Sequence, residues 1–195
     1  LATRTEKEFY VGEFINYATP ADALFRKYRI VQVGGKPFSA HMAISHNWDV
    51  WYMNADMKSS AAKRAEEARF MDDFDLFAKR HTRAFAALHQ GLGLNYFGID
   101  CAEDADGNLV VFEADNALIV HNMDCRATFP YKERHMLTIF AAFEDLLLAN
   151  IRNVAPSHPQ SVAPHSDLRL TDLSAADQRW QDRDDFRKQP QQPQP

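Results

Sequence analysis

Three acidic side chains fall on one face of a predicted β-hairpin late in the sequence. The hairpin is GIDCAEDADGNLVVFEAD, and its Asp106-Gly107 pair has the composition of a two-residue turn. That turn places Asp100 directly opposite Glu113, and the alternation of side chains puts Asp115 on the same face. Such crowded carboxylates repel one another unless a cation lies between them, and Mg²⁺ prefers oxygen ligands of this kind. The hairpin therefore predicts either a magnesium site or a solvated acidic face.

The same segment carries a further candidate ligand and a predicted core face. Asn116 follows Asp115 directly, so either of the two could be the third ligand. The opposite face of the hairpin is apolar and should pack in the core: Phe97, Ile99, Cys101, Val110 and Phe112. A longer loop with a bulge at Gly107 would shift this pairing by one residue.

Two basic residues share one face of an earlier predicted hairpin. The strand KYRIVQV places Lys27 and Arg29 on the same side, and a Gly34-Gly35 turn leads into KPFSAHMAI. Such a cationic pair complements a polyphosphate, because Arg binds with a fork and Lys supplies a point charge. The alternative is a pair of surface charges on a half-exposed strand. With Gly34-Gly35 as the turn, His41 lies on the opposite face from Arg29 and is expected to be a packing residue.

The elements around these hairpins predict an α+β fold. Phe9–Tyr17 is predicted to be a further short strand, and helices are predicted at about 60–70, 74–90 and 131–152. The second helix should bury Phe77, Phe85 and Leu88 and end at the glycines that follow it. The sheet is then antiparallel, built from two hairpins, with flanking helices.

Composition limits the class of protein. The 195 residues include 22 basic and 27 acidic side chains, a net charge of −5, which does not favour a nucleic-acid partner. No apolar run is long enough to cross a membrane, and two cysteines without metal-ligand spacing favour the cytoplasm. Residues 1–152 are expected to form one domain. The Pro- and Gln-rich residues 153–195 are expected to be a disordered tail.

The order of a basic hairpin, helices and a carboxylate hairpin resembles the C-terminal half of the ATP-grasp fold. The likeness is to glutathione-synthetase-like carboxylate–amine ligases, which are often attached to repeat domains. It spans about residues 8–140 and is carried by FRKYR, HMAIS and the GID…DG…VFEA series. The family's metal ligands, an Asp and then Glu-x-Asn, correspond to Asp100, Glu113 and Asp115, with Asp in place of the final Asn.

The resemblance implies that the chain binds ATP and Mg²⁺. The adenine-binding hinge would be Glu13, Phe14 and Ile15; Lys27 and Arg29 would contact phosphate, and Arg29 would also act in catalysis. Small-molecule carboxylates and amines would be the substrates, joined through an acyl phosphate. The family's earlier lobe, with its Gly-rich loop and Lys, has no counterpart upstream of the hinge. Turnover is therefore expected only if that lobe is supplied, by the rest of the domain or a longer parent chain.

Two further interpretations stay open. The chain could be a non-catalytic module that binds a nucleotide or a partner, or an inactive fragment of the same fold.

Overall fold

The computed structural model describes residues 12–153, in which four antiparallel strands are joined in the order β2-β1-β3-β4. The strands are β1 (Phe25–Val33), β2 (Lys36–Ser45), β3 (Tyr96–Glu103) and β4 (Leu109–Asp115). The helices are α1 (Ala61–Asp72), α2 (Phe74–Arg80), α3 (Thr82–Leu92) and α4 (Lys132–Asn153), with a short 3₁₀ turn at Tyr52–Asn54. The prediction of an α+β fold with an antiparallel sheet and flanking helices is confirmed.

The first hairpin turns at Gly34-Gly35, as the sequence predicts. Val33 pairs with Lys36, and the two glycines have φ values of +58° and +79°. Positive φ at both central positions is the geometry of a type I′ turn, which suits the twist of the flanking strands. Glycine is needed here because a Cβ would strain both positions.

The second hairpin differs from the prediction at its turn but not at its acidic residues. The loop is longer than Asp106-Gly107, because Glu103 pairs with Leu109 and the carboxylate of Asp104 accepts hydrogen bonds from the loop. A bulge in β4 then shifts the register by one residue, so that Cys101 lies opposite Val111 and Asp100 opposite Glu113. The extra residue in the bulge is Phe112, which is 45% exposed rather than part of the core.

Two other elements depart from the sequence prediction. Residues 12–17 form no strand; only Ala18 makes an isolated bridge, to Phe25. The long helix predicted at 74–90 is two helices that meet at His81, whose backbone N–H still bonds to the Phe77 carbonyl. The predicted inward residues of this region are buried or partly buried, and Gly93, with φ of +63°, caps α3.

Helices cover both faces of the sheet. One core joins Ile30, Ile99 and Phe97 to α2 and α3, and Cys101 lies within it as a free thiol. The other core packs Val31 and Val33 against α1 and α4. On α4, the inward side chains are Met136 and Ile139, whereas Phe140 and Leu147 are exposed although they are apolar.

None of the helices between residues 12 and 153 is both long and apolar enough to cross a membrane. The N-terminal part of the predicted first strand and the predicted tail after residue 153 lie outside the described residues.

Candidate functional site

The two predicted phosphate-binding cations meet on a buried carboxylate. Arg29 donates from Nε and Nη2 to the two oxygens of Asp100, at 2.8 and 3.0 Å. Lys27 Nζ lies 3.1 Å from Asp100 Oδ2. The side chain of Asp100 is only 5% exposed, and those of Lys27 and Arg29 are 18% and 19% exposed. The three side chains therefore form one charged cluster, centred on Asp100, with an excess of positive charge.

The cluster keeps Asp100 ionised. Burial alone would raise the pKa of this carboxyl, but the hydrogen bonds and charge of Arg29, with the charge of Lys27, outweigh it and lower the pKa below its usual value. Beyond the cluster, Arg29 Nη1 lies 3.4 Å from the carbonyl of Ile119. All three guanidinium nitrogens are therefore in contact with acceptors of this chain.

The other predicted metal ligands lie on the neighbouring strand. Glu113 of β4 is directly opposite Asp100 of β3, and Asp115 of β4 is opposite Gly98 of β3. Both are exposed, and so is Asn116. The carboxylate of Asp115 accepts a hydrogen bond of 2.8 Å from the backbone N–H of Ala117, which closes a turn after β4. The register brings Asp100 and Glu113 together as predicted.

The donor chemistry at this point is compatible with Mg²⁺. Asp100 has three contacts to cations, and a carboxylate can accept about four hydrogen bonds. Glu113 has no ion-pair partner among residues 12–153. Within those residues, no three His, Cys, Asp or Glu side chains converge as a ready set of metal ligands. Asp100 and Glu113 are thus two suitable oxygen ligands, and other groups would have to supply the remaining ligands of the ion.

A cleft of about 540 Å³ opens beside the cluster. Its charged lining residues are Lys27, Asp49, Asp100 and Glu113, and the rest of the lining is Tyr17, Trp48, Phe112 and Val50. A volume of this size falls within the range of small-molecule sites.

Interactions among the aromatic residues shape this cleft. The Tyr17 ring lies 5.0 Å from the ring of Phe112, and its hydroxyl donates to the Trp48 carbonyl. This hydrogen bond ties the loop after β2 to the segment before β1. Of the predicted adenine hinge, Phe14 packs edge-on against Trp48, with ring centroids 5.8 Å apart. Glu13, Phe14 and Ile15 are all exposed and lie in an irregular segment rather than in a strand.

His41 lies on the same face as Arg29, contrary to the sequence prediction. A bulge in β2 changes the register, so that Arg29 pairs with His41 while Ile30 pairs with Ser39. Ala40 is the extra residue, and it moves every later side chain of β2 to the other face. The alternation of side chains along the hairpin does not indicate this bulge. The pairing next to the Gly34-Gly35 turn is the predicted one, and the register shifts only farther along the strands.

A second charged cluster, which sequence reasoning missed, lies next to His41. Glu67 on α1 is completely buried and accepts hydrogen bonds from the backbone N–H of Met42 at 3.1 Å and from Tyr131 at 2.6 Å. Lys132, at the start of α4, is 3% exposed and lies 3.3 Å from Glu67 and 3.1 Å from Asp124. Paired in this way, each charge has the partner that burial requires.

Tyr52 connects the second cluster to His41. Its hydroxyl is 2.5 Å from Lys132 Nζ and 3.1 Å from Glu67, and its ring lies 4.8 Å from the ring of His41. Burial and the charge of Glu67 raise the pKa of the Tyr52 hydroxyl, which stays protonated. One signal could have revealed Glu67: it lies four residues before Met71, on the same side of α1, and Met71 is apolar and buried.

A close contact positions the segment after β4. A Cβ built on Gly98 would lie 2.9 Å from two side-chain atoms of Leu118, so glycine is needed for Leu118 to rest on β3. Ile119, whose carbonyl approaches Arg29, follows directly. The packing of Leu118 therefore holds this carbonyl against the charged cluster.

No protein-family model matches this chain, and comparison with curated proteins and with solved structures likewise returned no significant match. The ATP-grasp resemblance therefore stays a prediction.

Proposed function

We propose that this chain is the ATP- and Mg²⁺-binding lobe of an ATP-grasp ligase, an enzyme that joins a carboxylate to an amine through an acyl phosphate. One observation carries the proposal. Lys27 and Arg29 converge on buried Asp100 at the side of a cleft of about 540 Å³, with Glu113 directly opposite Asp100.

The cations are the phosphate-binding part of this proposal. Lys27 and Arg29 together carry two positive charges, whereas Asp100 carries one negative charge. Both cations keep part of their side chains accessible. The donors of Lys27 and Arg29 that Asp100 does not occupy could bind phosphate oxygens, through charge-assisted hydrogen bonds about twice as strong as neutral ones. In this role Arg29 binds the phosphoryl group that is transferred.

The aromatic walls are suited to the nucleobase. Tyr17, Trp48 and Phe112 line the cleft, and Phe14 extends this surface through its contact with Trp48. Planar rings can stack on such side chains, and residues 13–15 are exposed next to them through the contact of Phe14 with Trp48. The exposed hinge residues Glu13, Phe14 and Ile15 would then be covered by the nucleotide.

Mg²⁺ would be held by Asp100 and Glu113, with Asp115 or Asn116 as the third ligand. When bound, the ion neutralises polyphosphate charge. The chain's own contribution is to hold Asp100 ionised and Glu113 opposite it before any ligand arrives.

A non-catalytic role is the second candidate, and the contacts of Arg29 favour it. Two of its nitrogens bind Asp100 and the third approaches the Ile119 carbonyl, as in a purely structural ion pair. In that case the fold would bind a nucleotide or a partner without transferring phosphate.

Thermal melting with and without Mg²⁺–ATP tests nucleotide binding. We expect weak binding by the chain alone, and therefore stabilisation only at millimolar ATP, reaching about 1.4 kcal/mol when free ATP is ten times its Kd. Lys27→Met should remove this stabilisation, whereas Lys79→Met, at an exposed position on α2, should retain it. No stabilisation of the wild-type chain at any ATP concentration would refute the proposal.

An ADP-release assay separates the two candidates. It would use the chain within its full-length parent, Mg²⁺–ATP and a panel of amino acids and small peptides. Release that depends on one of these substrates, and that Arg29→Met abolishes, supports the ligase. ATP binding without any release supports the non-catalytic module.

A further inference from the structure

The bulge at Ala40 gives His41 a position that a regular hairpin would deny it. Without the extra residue, Ala40 would face Arg29 and His41 would point to the other side of the sheet. Bulges of this kind redirect side chains and are common next to active sites. Here the redirected side chain is an imidazole directly opposite the arginine to which we assign the transferring phosphate.

Charged groups from three elements surround His41. Arg29 and Lys27 extend from β1, Asp100 from β3 and Lys132 from α4. Burial, followed by the charges of Arg29, Lys132 and Lys27, lowers the pKa of His41 well below its usual value, and the charge of Asp100 acts in the opposite direction. The half-buried ring is therefore neutral at pH 7. Within residues 12–153 it makes no hydrogen bond, so its acceptor nitrogen is available.

The second charged cluster fixes the surroundings of His41. Its ring packs on Tyr52, and the Tyr52 hydroxyl is held by Lys132 and Glu67. Glu67 also accepts the backbone N–H of Met42, the residue after His41. The imidazole is thus bounded on two sides by groups that are themselves buried and paired, which is how a reactive side chain is kept in one orientation.

We propose that His41 and Arg29 form the acceptor end of the site, where the imidazole receives the proton of the attacking amine. This inference rests on the proposed ligase function. It assigns to the chain a base that neither the phosphate-binding cations nor the carboxylates provide.

The reaction at this end balances without any redox step. The amine nitrogen attacks the carbonyl carbon of the acyl phosphate and forms a C–N bond. The bond between that carbon and the bridging phosphate oxygen breaks, and its electron pair leaves on the phosphate. The proton lost by the nitrogen passes to a ring nitrogen of His41, while Arg29 lies next to the departing phosphate.

The charges also imply that the base becomes stronger when substrate is present. An anion bound to Lys27 and Arg29 offsets two of the cations that keep His41 neutral, so the pKa of His41 should rise towards its ordinary value. General bases are most effective when their pKa is near the working pH. In the empty site, the same cations suppress protonation.

NMR of the imidazole nitrogens tests this arrangement without turnover. With His41→Gln to assign the signals, the His41 ring should be neutral at about pH 6 in the free chain. Inorganic phosphate should raise the pKa of His41, and the imidazole signals of exposed His46 should not change when phosphate is added. A ring protonated at pH 6 in the free chain, or a pKa unaffected by phosphate that binds at Lys27 and Arg29, would overturn the inference.

A model reaction provides the second test. Acetyl phosphate and glycinamide are mixed with the chain within its full-length parent, where turnover is expected, and formation of acetylglycinamide is followed by NMR. We expect the wild-type chain to accelerate this reaction, His41→Gln to lose about 100-fold of the acceleration, and His46→Gln to retain it. At about pH 8, where the ring is neutral with or without a bound anion, Mg²⁺–ATP should still stabilise His41→Gln, which shows that the variant folds. The inference fails, and the proposed function stands, if Mg²⁺–ATP stabilises the wild type but the wild type does not accelerate the reaction. The same holds if His41→Gln accelerates the reaction as much as the wild type does. If Mg²⁺–ATP does not stabilise the wild type, the proposed function itself fails.

Discussion

Asp100 lies directly opposite Glu113, yet the two carboxylates have different surroundings: Asp100 is buried and shared by two cations, whereas Glu113 is exposed on the neighbouring strand. Like charges directly opposite each other destabilise a sheet. The cations on Asp100 reduce this repulsion, so the two carboxylates should contribute differently to stability and to ligand binding.

Glu113→Gln should leave the stability of the ligand-free chain unchanged or raise it. The expected gain is a few tenths to about 1 kcal/mol, because one of two opposed charges is removed. The same change should abolish stabilisation by Mg²⁺–ATP. Both quantities come from melting curves with and without Mg²⁺–ATP, with Glu144→Gln, at an exposed position on α4, as the control. A loss of several kcal/mol without ligand would mean that Glu113 is a structural group.

Asp100 should make the chain sensitive to acid. Because its pKa is lowered in the folded state, its contribution to stability is fully present above the unfolded pKa, about 4, and is lost as pH falls through the folded value. Asp100→Asn should cost about 2 kcal/mol at pH 7, and the difference from wild type should shrink below pH 4. Urea unfolding at a series of pH values measures this difference. Asp145→Asn, on the exposed side of α4, should show no such trend.

The buried pair Glu67 and Lys132 should be strongly coupled. Lys132→Met leaves the Glu67 carboxylate buried without its cation, and the expected loss is about 3–5 kcal/mol. Adding Glu67→Gln to Lys132→Met should recover part of that loss, because no uncompensated charge stays inside. A double-mutant cycle by urea unfolding gives the coupling energy. Additive single effects would show that the two charges are stabilised independently.

Gly98→Ala should disturb the site from a distance. The added methyl group would overlap Leu118, displacing the segment whose Ile119 carbonyl approaches Arg29. We expect a loss of about 1–3 kcal/mol, the usual cost of overpacking. Gly91→Ala is the matched control: nothing lies within 4 Å of its new Cβ, and in a helix alanine is favoured over glycine by up to about 1 kcal/mol. A stabilised Gly98→Ala would be inconsistent with this close contact.

Local signals in the sequence predicted the frame of the sheet better than its details. Gly34-Gly35 specified a turn, and Asp100 was placed opposite Glu113. That pairing is correct although the turn at Asp106-Gly107 is not, because the bulge at Phe112 offsets the longer loop. The same type of irregularity at Ala40 had no compensation, and so His41 was placed on the wrong face. A bulge depends on packing across the sheet. The alternation of apolar and polar side chains along one strand therefore does not predict it.

The second charged cluster could not be predicted from the sequence, for a different reason. Glu67 and Lys132 are 65 positions apart, and each is an ordinary residue for its helix. Their burial results from α1 and α4 packing on the same face of the sheet, so only the tertiary arrangement brings them together. The assignments of Lys27, Arg29 and the carboxylates to ATP and Mg²⁺ stay predictions.

Among the strands of residues 12–153, β4 is bonded to a neighbour on one side only. Like β2 at the other edge of the sheet, it has no second strand partner among these residues, so another chain could pair with its outer edge, and Val111 and Phe112 add exposed apolar surface there. Charged side chains on an edge strand discourage such pairing, so Glu113 and Asp115 also protect the chain against aggregation. Neutralising Glu113 should therefore favour self-association at high protein concentration, even where it improves the stability of the monomer.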